Sequence, residues 1–293
     1  MTPTTCTTAA RTVGSVAGLA LTAVSCGGGV RRWIMAVVAG VIVLSGCRGT
    51  RSPEEESSAT TEATEPAALA YVAFGDSWSF GAHCGGCEPF PVLVAEGLEA
   101  DQGAPVAFEN LTTNGGTTQS LLDSIETSAS TRDAIAGADL IVINTGANDL
   151  EPAINEWAAT RGCGGADGLD CFRVVAEGWR TGFDGILAEI DDLRAGEATA
   201  VRVISNSNEF LADPGLIATF GAEFGPTGGA AITAMHHDAL CEASAAHGAA
   251  CVDLRPVLNG PDLTTPQDVN TQEAMQAVAD AIFATGLPEL ARD

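Results

Sequence analysis

The chain has 293 residues, with 38 acidic and 13 basic side chains, and every one of those basic residues is an arginine. A formal net charge of −25 repels phosphate backbones and anionic lipid headgroups, so nucleic acid is not an expected partner. The length suits one sizeable domain with additional segments outside it.

Residues 30–47, VRRWIMAVVAGVIVLSGC, are typical of an export signal, with a basic start, an apolar middle and a small-residue end. The apolar run is shorter than the roughly 20 residues that span a bilayer. Its end, Leu44-Ser45-Gly46-Cys47, resembles a bacterial lipobox, and the alternative is an ordinary signal with a chance cysteine. We therefore expect an exported, cell-surface lipoprotein whose membrane contact is a lipid on Cys47.

The segments on either side of this signal differ in character. Residues 1–29 end in a weaker signal-like stretch, and we interpret them as an upstream extension, with translation starting near Val30. Residues 48–68 are rich in Ser, Thr, Glu and Pro, which predicts a flexible tether. Residues 69–293 form the expected domain. Cleavage before Cys47 would remove three arginines and no acidic residue, leaving −25 − 3 = −28.

Six cysteines follow Cys47: Cys84, Cys87, Cys163, Cys171, Cys241 and Cys251. An even number in an exported chain predicts disulfides. Sequence proximity favours the pairs 84–87, 163–171 and 241–251, although six cysteines allow fifteen pairings. Cys84 and Cys87 beside His83 could instead be half of a zinc site, but no second close Cys/His pair completes it, so we expect no metal.

Short apolar runs alternate with amphipathic stretches through the domain. The predicted strands are residues 68–74, 105–111, 138–146, 198–205 and 249–254. The predicted helices are residues 90–100, 117–129, 172–195, 230–248 and 271–286. We interpret residues 151–171 as a long loop. The alternation predicts an α/β fold, a three-layer α/β/α sandwich around a five-stranded parallel sheet.

Three loops follow the first three predicted strands, and they carry Gly75-Asp76-Ser77, Asn114-Gly115-Gly116 and Gly146-Ala147-Asn148-Asp149. The carboxyl ends of parallel strands share one edge, so these loops should meet there. A serine hydroxyl is a candidate nucleophile, and a glycine N–H and an asparagine amide can hold an oxyanion. The candidates are Ser77, Gly115 and Asn148.

These motifs resemble those of the SGNH, or GDSL-type, hydrolases, whose blocks are Gly-Asp-Ser, a glycine after the second strand, Gly-x-Asn-Asp and a late Asp-x-x-His. The resemblance covers roughly residues 70–286. It implies a flavodoxin-like sheet and hydrolysis of a small-molecule or surface-polymer ester without metal or organic cofactor. By position, Ser77 would be the nucleophile, and Gly115 and Asn148 the oxyanion donors. We expect a monomer.

The late Asp-x-x-His block is absent. Alignment on the last predicted helix places Gln267 at the aspartate and Asn270 at the histidine. Alignment on Asp262 instead places Thr265 at the histidine, and no histidine follows His247. An amide cannot take the serine proton near neutral pH, so turnover should fall about a thousandfold or more.

Other residues could replace the missing base. His236, His237 and His247 are expected at the surface or at a helix end, away from the strand ends that carry the motifs. His83 lies six residues beyond Ser77 and is the candidate for a displaced base, the alternative being a solvent-facing residue beside a disulfide.

Asp268 and Glu273 are weaker candidates, since an exposed carboxyl has a reference pKa of about 4. Trp78 either forms a pocket wall or packs beneath its loop. Two functions therefore remain open. One is a serine ester hydrolase acting on acyl or acetyl esters, and the other is a catalytically impaired SGNH fold that serves as a ligand-binding module.

Overall fold

A computed structural model describes residues 68–291. Within that range the strands form one five-stranded parallel sheet in the order β2-β1-β3-β4-β5. The strands are β1 (Leu69–Gly75), β2 (Val106–Asn110), β3 (Leu140–Asn144), β4 (Ala200–Ser205) and β5 (Ala250–Asp253). The predicted parallel sheet is confirmed. The predicted upstream extension, the export signal, Cys47 and all but the last residue of the tether lie outside the described residues.

Ten α-helices connect and cover these strands in the described part of the chain. The first five are α1 (Ser77–Phe80), α2 (Phe90–Gln102), α3 (Thr118–Thr127), α4 (Ala129–Gly137) and α5 (Glu151–Thr160). The others are α6 (Asp170–Leu193), α7 (Pro214–Phe220), α8 (Ala230–Ala246), α9 (Arg255–Asn259) and α10 (Gln272–Ala284). None of the helices within residues 68–291 is both long and apolar enough to cross a bilayer.

The sheet is covered on both faces by apolar helix surfaces. One core lies between the sheet and helices α3 to α8, where Trp179 and Phe183 of α6 are fully buried. The opposite core is formed with α2, α9 and α10, where Phe90 and Met275 are fully buried. All five residues of β3 are buried, as expected for a central parallel strand covered on both sides. The three-layer sandwich is thereby confirmed.

The prediction of one long loop over residues 151–171 is wrong, because its first half is α5. Ala153 and Trp157 lie one turn apart on α5 and are both buried, which gives the helix an apolar face. The Trp157 ring packs against Phe220 with ring centroids 4.4 Å apart. The frequent glycine and cysteine residues after residue 160 are typical of a loop, and they led to the prediction of a loop for the short helix before them as well.

The three disulfides within residues 68–291 are the predicted ones. Cys84 pairs with Cys87, Cys163 with Cys171, and Cys241 with Cys251. Since Cys84 and Cys87 are bonded to each other, they offer no thiolates, and the zinc alternative at this pair is wrong. The Cys163–Cys171 bond closes the loop between α5 and α6, as expected.

Candidate active site

Ser77 begins α1 immediately beyond β1. Gly75 must be glycine here, because a Cβ atom would lie 2.4 Å from Ser79 Oγ and 2.7 Å from the Asn144 carbonyl oxygen. The Asp76 carboxylate caps α1 by accepting a 3.1 Å hydrogen bond from the Trp78 N–H. Ser77 is half-buried, and its own N–H has no hydrogen-bond partner among the described residues. The serine is therefore held rigidly with a free donor beside it.

Hydrogen bonds join the loops that follow β1, β2 and β3. The Thr113 N–H donates to the Gly75 carbonyl over 2.8 Å. The Asn148 side-chain amide donates to the Gly116 carbonyl over 2.9 Å. We call these joined loops, residues 75–80, 111–118 and 145–150, the rim. The structure thus brings the loops of the candidate serine and of both candidate oxyanion donors together.

Gly115 and Asn148 both retain donor capacity on the rim. Gly115 is exposed with φ of +78°, and its N–H has no partner within the described range. The neighbouring Gly116 N–H is used by the Thr113 carbonyl at 2.8 Å, so Gly115 is the glycine with a free donor. Asn148 has two amide hydrogens and uses one on Gly116, which leaves the other.

His236 is buried beneath the rim, so the expectation that it lies at the surface is wrong. Helix α8 starts at the carboxyl edge of the sheet because it follows β4, and His236 lies within its first two turns. Its Nδ1 accepts from the Asn206 N–H at 3.3 Å, and burial lowers its pKa to about 4. The neutral ring therefore donates from Nε2 to the Thr145 carbonyl, also at 3.3 Å. Neither nitrogen is free to act as a base.

His237 also lies near the carboxyl edge, where we had not expected it. Its Nδ1 lies 3.2 Å from Ser205 Oγ and 3.7 Å from a carboxylate oxygen of Asp253. This grouping is not a catalytic triad, because both partners face the same ring nitrogen and Ser205 is fully buried. Cys241 Sγ lies 3.4 Å from the same nitrogen, but its disulfide leaves no thiolate for a metal.

The remaining two histidines occupy exposed or helix-end positions. His247 follows α8 and bonds the carboxylates of Asp184 and Asp191 on α6, which raise its pKa. His83 is exposed and makes no hydrogen bond to another described residue. No histidine in residues 68–291 is hydrogen-bonded to Ser77 in this structure.

The segment before α10 lies against the loop that follows Ser77. The buried Trp78 indole donates from Nε1 to the Val269 carbonyl over 2.9 Å, so Trp78 packs beneath its loop. The Asn270 carbonyl oxygen is 3.1 Å from Cys84 Sγ. Gln267 and Asn270 are both half-buried. The segment in which the helix-based alignment predicts Asn270 at the position of the family's histidine therefore contacts the loop that carries Ser77.

Two cavities flank the rim. One, of about 300 Å³, lies on the α3 side and is lined largely by hydroxyl groups, including those of Thr117 and Ser120. The other, of about 240 Å³, lies beside Ala147 and is lined by residues that include Glu209, Asp213 and His236. We call this second one the acidic cavity.

Glu209 is a site residue that the sequence analysis missed. Glu209 lies four residues beyond the end of β4, at the same edge of the sheet. The three sequence motifs follow β1, β2 and β3, and none of them includes this fourth loop. Burial raises the pKa of Glu209 to about 7, and the charges of Asp76 and Asp213 add to this. Burial likewise raises the pKa of Asp76 to about 6, with a contribution from Asp149. Two carboxyls that titrate near neutral pH therefore lie at this edge of the sheet, Asp76 in the rim and Glu209 in the acidic cavity.

Replacement of Glu209 by glutamine should stabilise the fold in a pH-dependent manner. A carboxyl with a pKa of about 7 when folded and 4.5 as its ordinary value destabilises the native state above pH 7. We expect Glu209→Gln to raise the free energy of unfolding by about 2–3 kcal/mol at pH 8 and by less than about 1 kcal/mol at pH 5. Urea denaturation at the two pH values measures this.

The matched control is Glu156→Gln, which removes the same charge at an exposed position on α5. It should change the unfolding free energy by a few tenths of a kcal/mol at either pH. A Glu209→Gln effect that does not vary with pH would contradict the assigned burial of its charge.

The chain resembles known lipases in sequence pattern and in fold. Among solved structures, the lipase Lip_vut3 from a goat rumen metagenome superposes with a TM-score of 0.60 and 19% identity, over 75% of this chain and 98% of that one. Phospholipase A1 from Streptomyces albidoflavus NA297 superposes with a TM-score of 0.52 and 15% identity, over 75% of this chain and 99% of that one. The extracellular lipase from Streptomyces rimosus superposes with a TM-score of 0.51 and 19% identity, over 74% of this chain and 99% of that one.

These identities establish a shared fold alone, and no curated protein matches the chain in sequence. The comparison with family models shows more than the fold. Residues 73–273 match the GDSL-like lipase/acylhydrolase family, and this range includes the three strand-end motifs and the segment before α10. The match covers well over half of the chain. This protein belongs to the GDSL-like lipase/acylhydrolase family.

Proposed function

We propose that the protein is a serine ester hydrolase in which Ser77 is the nucleophile and Gly115 and Asn148 stabilise the oxyanion. The observation that carries this proposal is the pair of hydrogen bonds, Thr113 to Gly75 and Asn148 to Gly116, that join the three loops. Free N–H groups on Ser77 and Gly115 add the donors that an oxyanion needs. Membership of an ester-hydrolysing family supports the same reaction.

The reaction begins when the Ser77 hydroxyl oxygen bonds to the ester carbonyl carbon and the carbonyl oxygen becomes an oxyanion. The N–H groups of Ser77 and Gly115 and the second amide hydrogen of Asn148 then donate to that oxygen. The alcohol leaves with its electron pair and takes a proton, and water releases the acyl group from Ser77. In the absence of a bonded imidazole, the serine proton passes to solvent, so we expect slow turnover that increases with pH.

A second candidate function is ligand binding without appreciable hydrolysis. The helix-based alignment, which predicts Asn270 at the position of the family's histidine, favours it, because an amide is not a base. For either function we further propose that the protein is exported and anchored at the cell surface through a lipid on Cys47, as the lipobox-like sequence suggests.

Removal of the nucleophile should abolish hydrolysis of short-chain nitrophenyl esters. We expect Ser77→Ala to reduce the rate to that of buffer, and Asn148→Ala to reduce it about 10²- to 10³-fold through loss of one oxyanion donor. Ser130→Ala, at an exposed position on α4, is the control and should retain the wild-type rate.

Equal rates for wild type and Ser77→Ala would end the hydrolase proposal for these esters and favour the binding module. A loss in His83→Ala as large as that in Ser77→Ala would instead identify His83 as a displaced base.

Restoring the missing block should increase activity. With Gln267→Asp and Asn270→His together, an imidazole would stand on the segment that contacts Trp78 and Cys84, next to the Ser77 loop. We expect at least a tenfold gain in kcat/KM, with a pH profile that rises near the histidine pKa of about 6.5. Adding Ser77→Ala to this double variant should remove the gain. An unchanged rate would contradict the helix-based alignment.

A further inference from the structure

The acidic cavity lies directly beside the rim. Ala147 forms part of its wall, and the next residue is the candidate oxyanion donor Asn148. The Ala147 backbone also lowers the pKa of Asp76, the residue that precedes the candidate nucleophile, against the larger effect of burial. At about 240 Å³ the cavity suits one end of a small ligand, since whole-ligand pockets usually exceed about 300 Å³. A substrate held at Ser77 could therefore place one substituent in it.

Glu209 presents an uncompensated carboxylate to this cavity. The residue is half-buried, and its carboxylate forms no hydrogen bond or ion pair with another described residue. The charges that act on it, those of Asp76 and Asp213, have the same sign. A carboxylate partly removed from water without a cation is costly, so a partner from outside the chain would be favourable.

Residues 68–291 supply no such cation. The chain contains no lysine, and the seven arginines of residues 68–291 all bond elsewhere. Five of them pair with other carboxylates, and Arg161 and Arg194 bond the chain near Thr219 and Thr199. His236, the one basic side chain in the cavity wall, is neutral because burial lowers its pKa to about 4.

A second feature points independently to a polar ligand. Ser207 lines the same cavity and is only 6% exposed, yet its hydroxyl has no hydrogen-bond partner among the described residues. The hydroxyl oxygen itself is open to the cavity rather than sealed in the core, so a ligand group in the cavity could supply its partner. Ser207 thus marks the cavity as a place where a polar group is missing.

Most of the rest of the wall is aliphatic or aromatic, and Asn206 and Thr233 are its further polar residues. Trp179 and Phe210 contribute ring surface, and Leu216 and Ile232 contribute aliphatic surface. Aromatic rings attract cations, and aliphatic walls favour alkyl groups over a bare metal ion. A carboxylate set among such walls matches an alkylated ammonium group.

We propose that the acidic cavity binds an alkylammonium group of the ester substrate, with Glu209 as its counter-ion and Asp213 adding negative charge. The proposal assigns a substrate class to the site, esters that carry a cationic amine, and to that extent it rests on the proposed function. Binding itself does not require that Ser77 react.

The pH dependence of binding follows from the groups that face Glu209, which are Asp76, Asp213 and His236. A permanently charged ligand prefers ionised Glu209, whose pKa is about 7, while His236 stays neutral above pH 6. Affinity for a quaternary ammonium ion should therefore increase about tenfold between pH 6 and pH 8.

Titration calorimetry with choline and with its uncharged isostere 3,3-dimethylbutan-1-ol tests the proposal. At pH 8 and low salt, we expect the purified protein to bind choline at least tenfold more tightly than the alcohol. Glu209→Gln should reduce choline affinity at least tenfold, whereas the charge-matched control Glu156→Gln should not change it. Equal binding of the two probes, no choline binding, or an equal loss in Glu156→Gln would overturn the proposal.

Ser77→Ala separates this proposal from the hydrolase proposal, because it should bind choline like wild type. Choline binding together with an ester hydrolysis rate equal in wild type and Ser77→Ala would leave the cation site standing while the hydrolase proposal fails. Ester hydrolysis without selective choline binding would give the reverse result.

Discussion

The hydrogen bonds between the strand-end loops are the constraint on which the site depends. The hydrogen bond from Thr113 to Gly75 joins the loop after β2 to the loop after β1. The hydrogen bond from Asn148 to Gly116 joins the loop after β3 to the loop after β2. Parallel strands bring these loops to one edge, but only such bonds fix their backbones relative to one another. The free N–H groups of the rim are available because their neighbours are already paired, so donors are arranged before any ligand arrives.

Much of this arrangement could be predicted from the sequence because it follows from strand order. Motifs at three consecutive strand ends must meet in a parallel sheet, and near neighbours among the cysteines formed the three disulfides. Packing across the fold could not be predicted in the same way. Gly146, for example, has φ of +116°, and a Cβ there would lie 2.6 Å from His236 Nε2, a contact that no local pattern indicates. His236 was wrongly expected outside for the same reason, and α5 was missed within a glycine-rich stretch.

In the part of the chain that the structure describes, the rim lacks a base for Ser77, and the acidic cavity lacks a cation for Glu209. The rim has donors for a developing negative charge but no imidazole bonded to Ser77 in residues 68–291. The acidic cavity has a carboxylate, Glu209, without a cation from the described residues. A cationic ester would satisfy Glu209 and the free donors together. Binding energy gained at a remote charged group can hold the reacting ester in place, which matters most when the chemical step lacks a good base.

The proposed function requires that the Ser77 oxygen bond to an electrophile that the donors of the rim hold in place. Intact-protein and peptide mass spectrometry after incubation with a fluorophosphonate ester measures this directly, because the probe transfers its phosphonyl group to the attacking serine and releases fluoride. We expect a single adduct on Ser77, formed slowly in the wild type and more slowly still in Asn148→Ala. An adduct on another residue, no adduct at all, or labelling of Ser77 at the same rate in Asn148→Ala would contradict it.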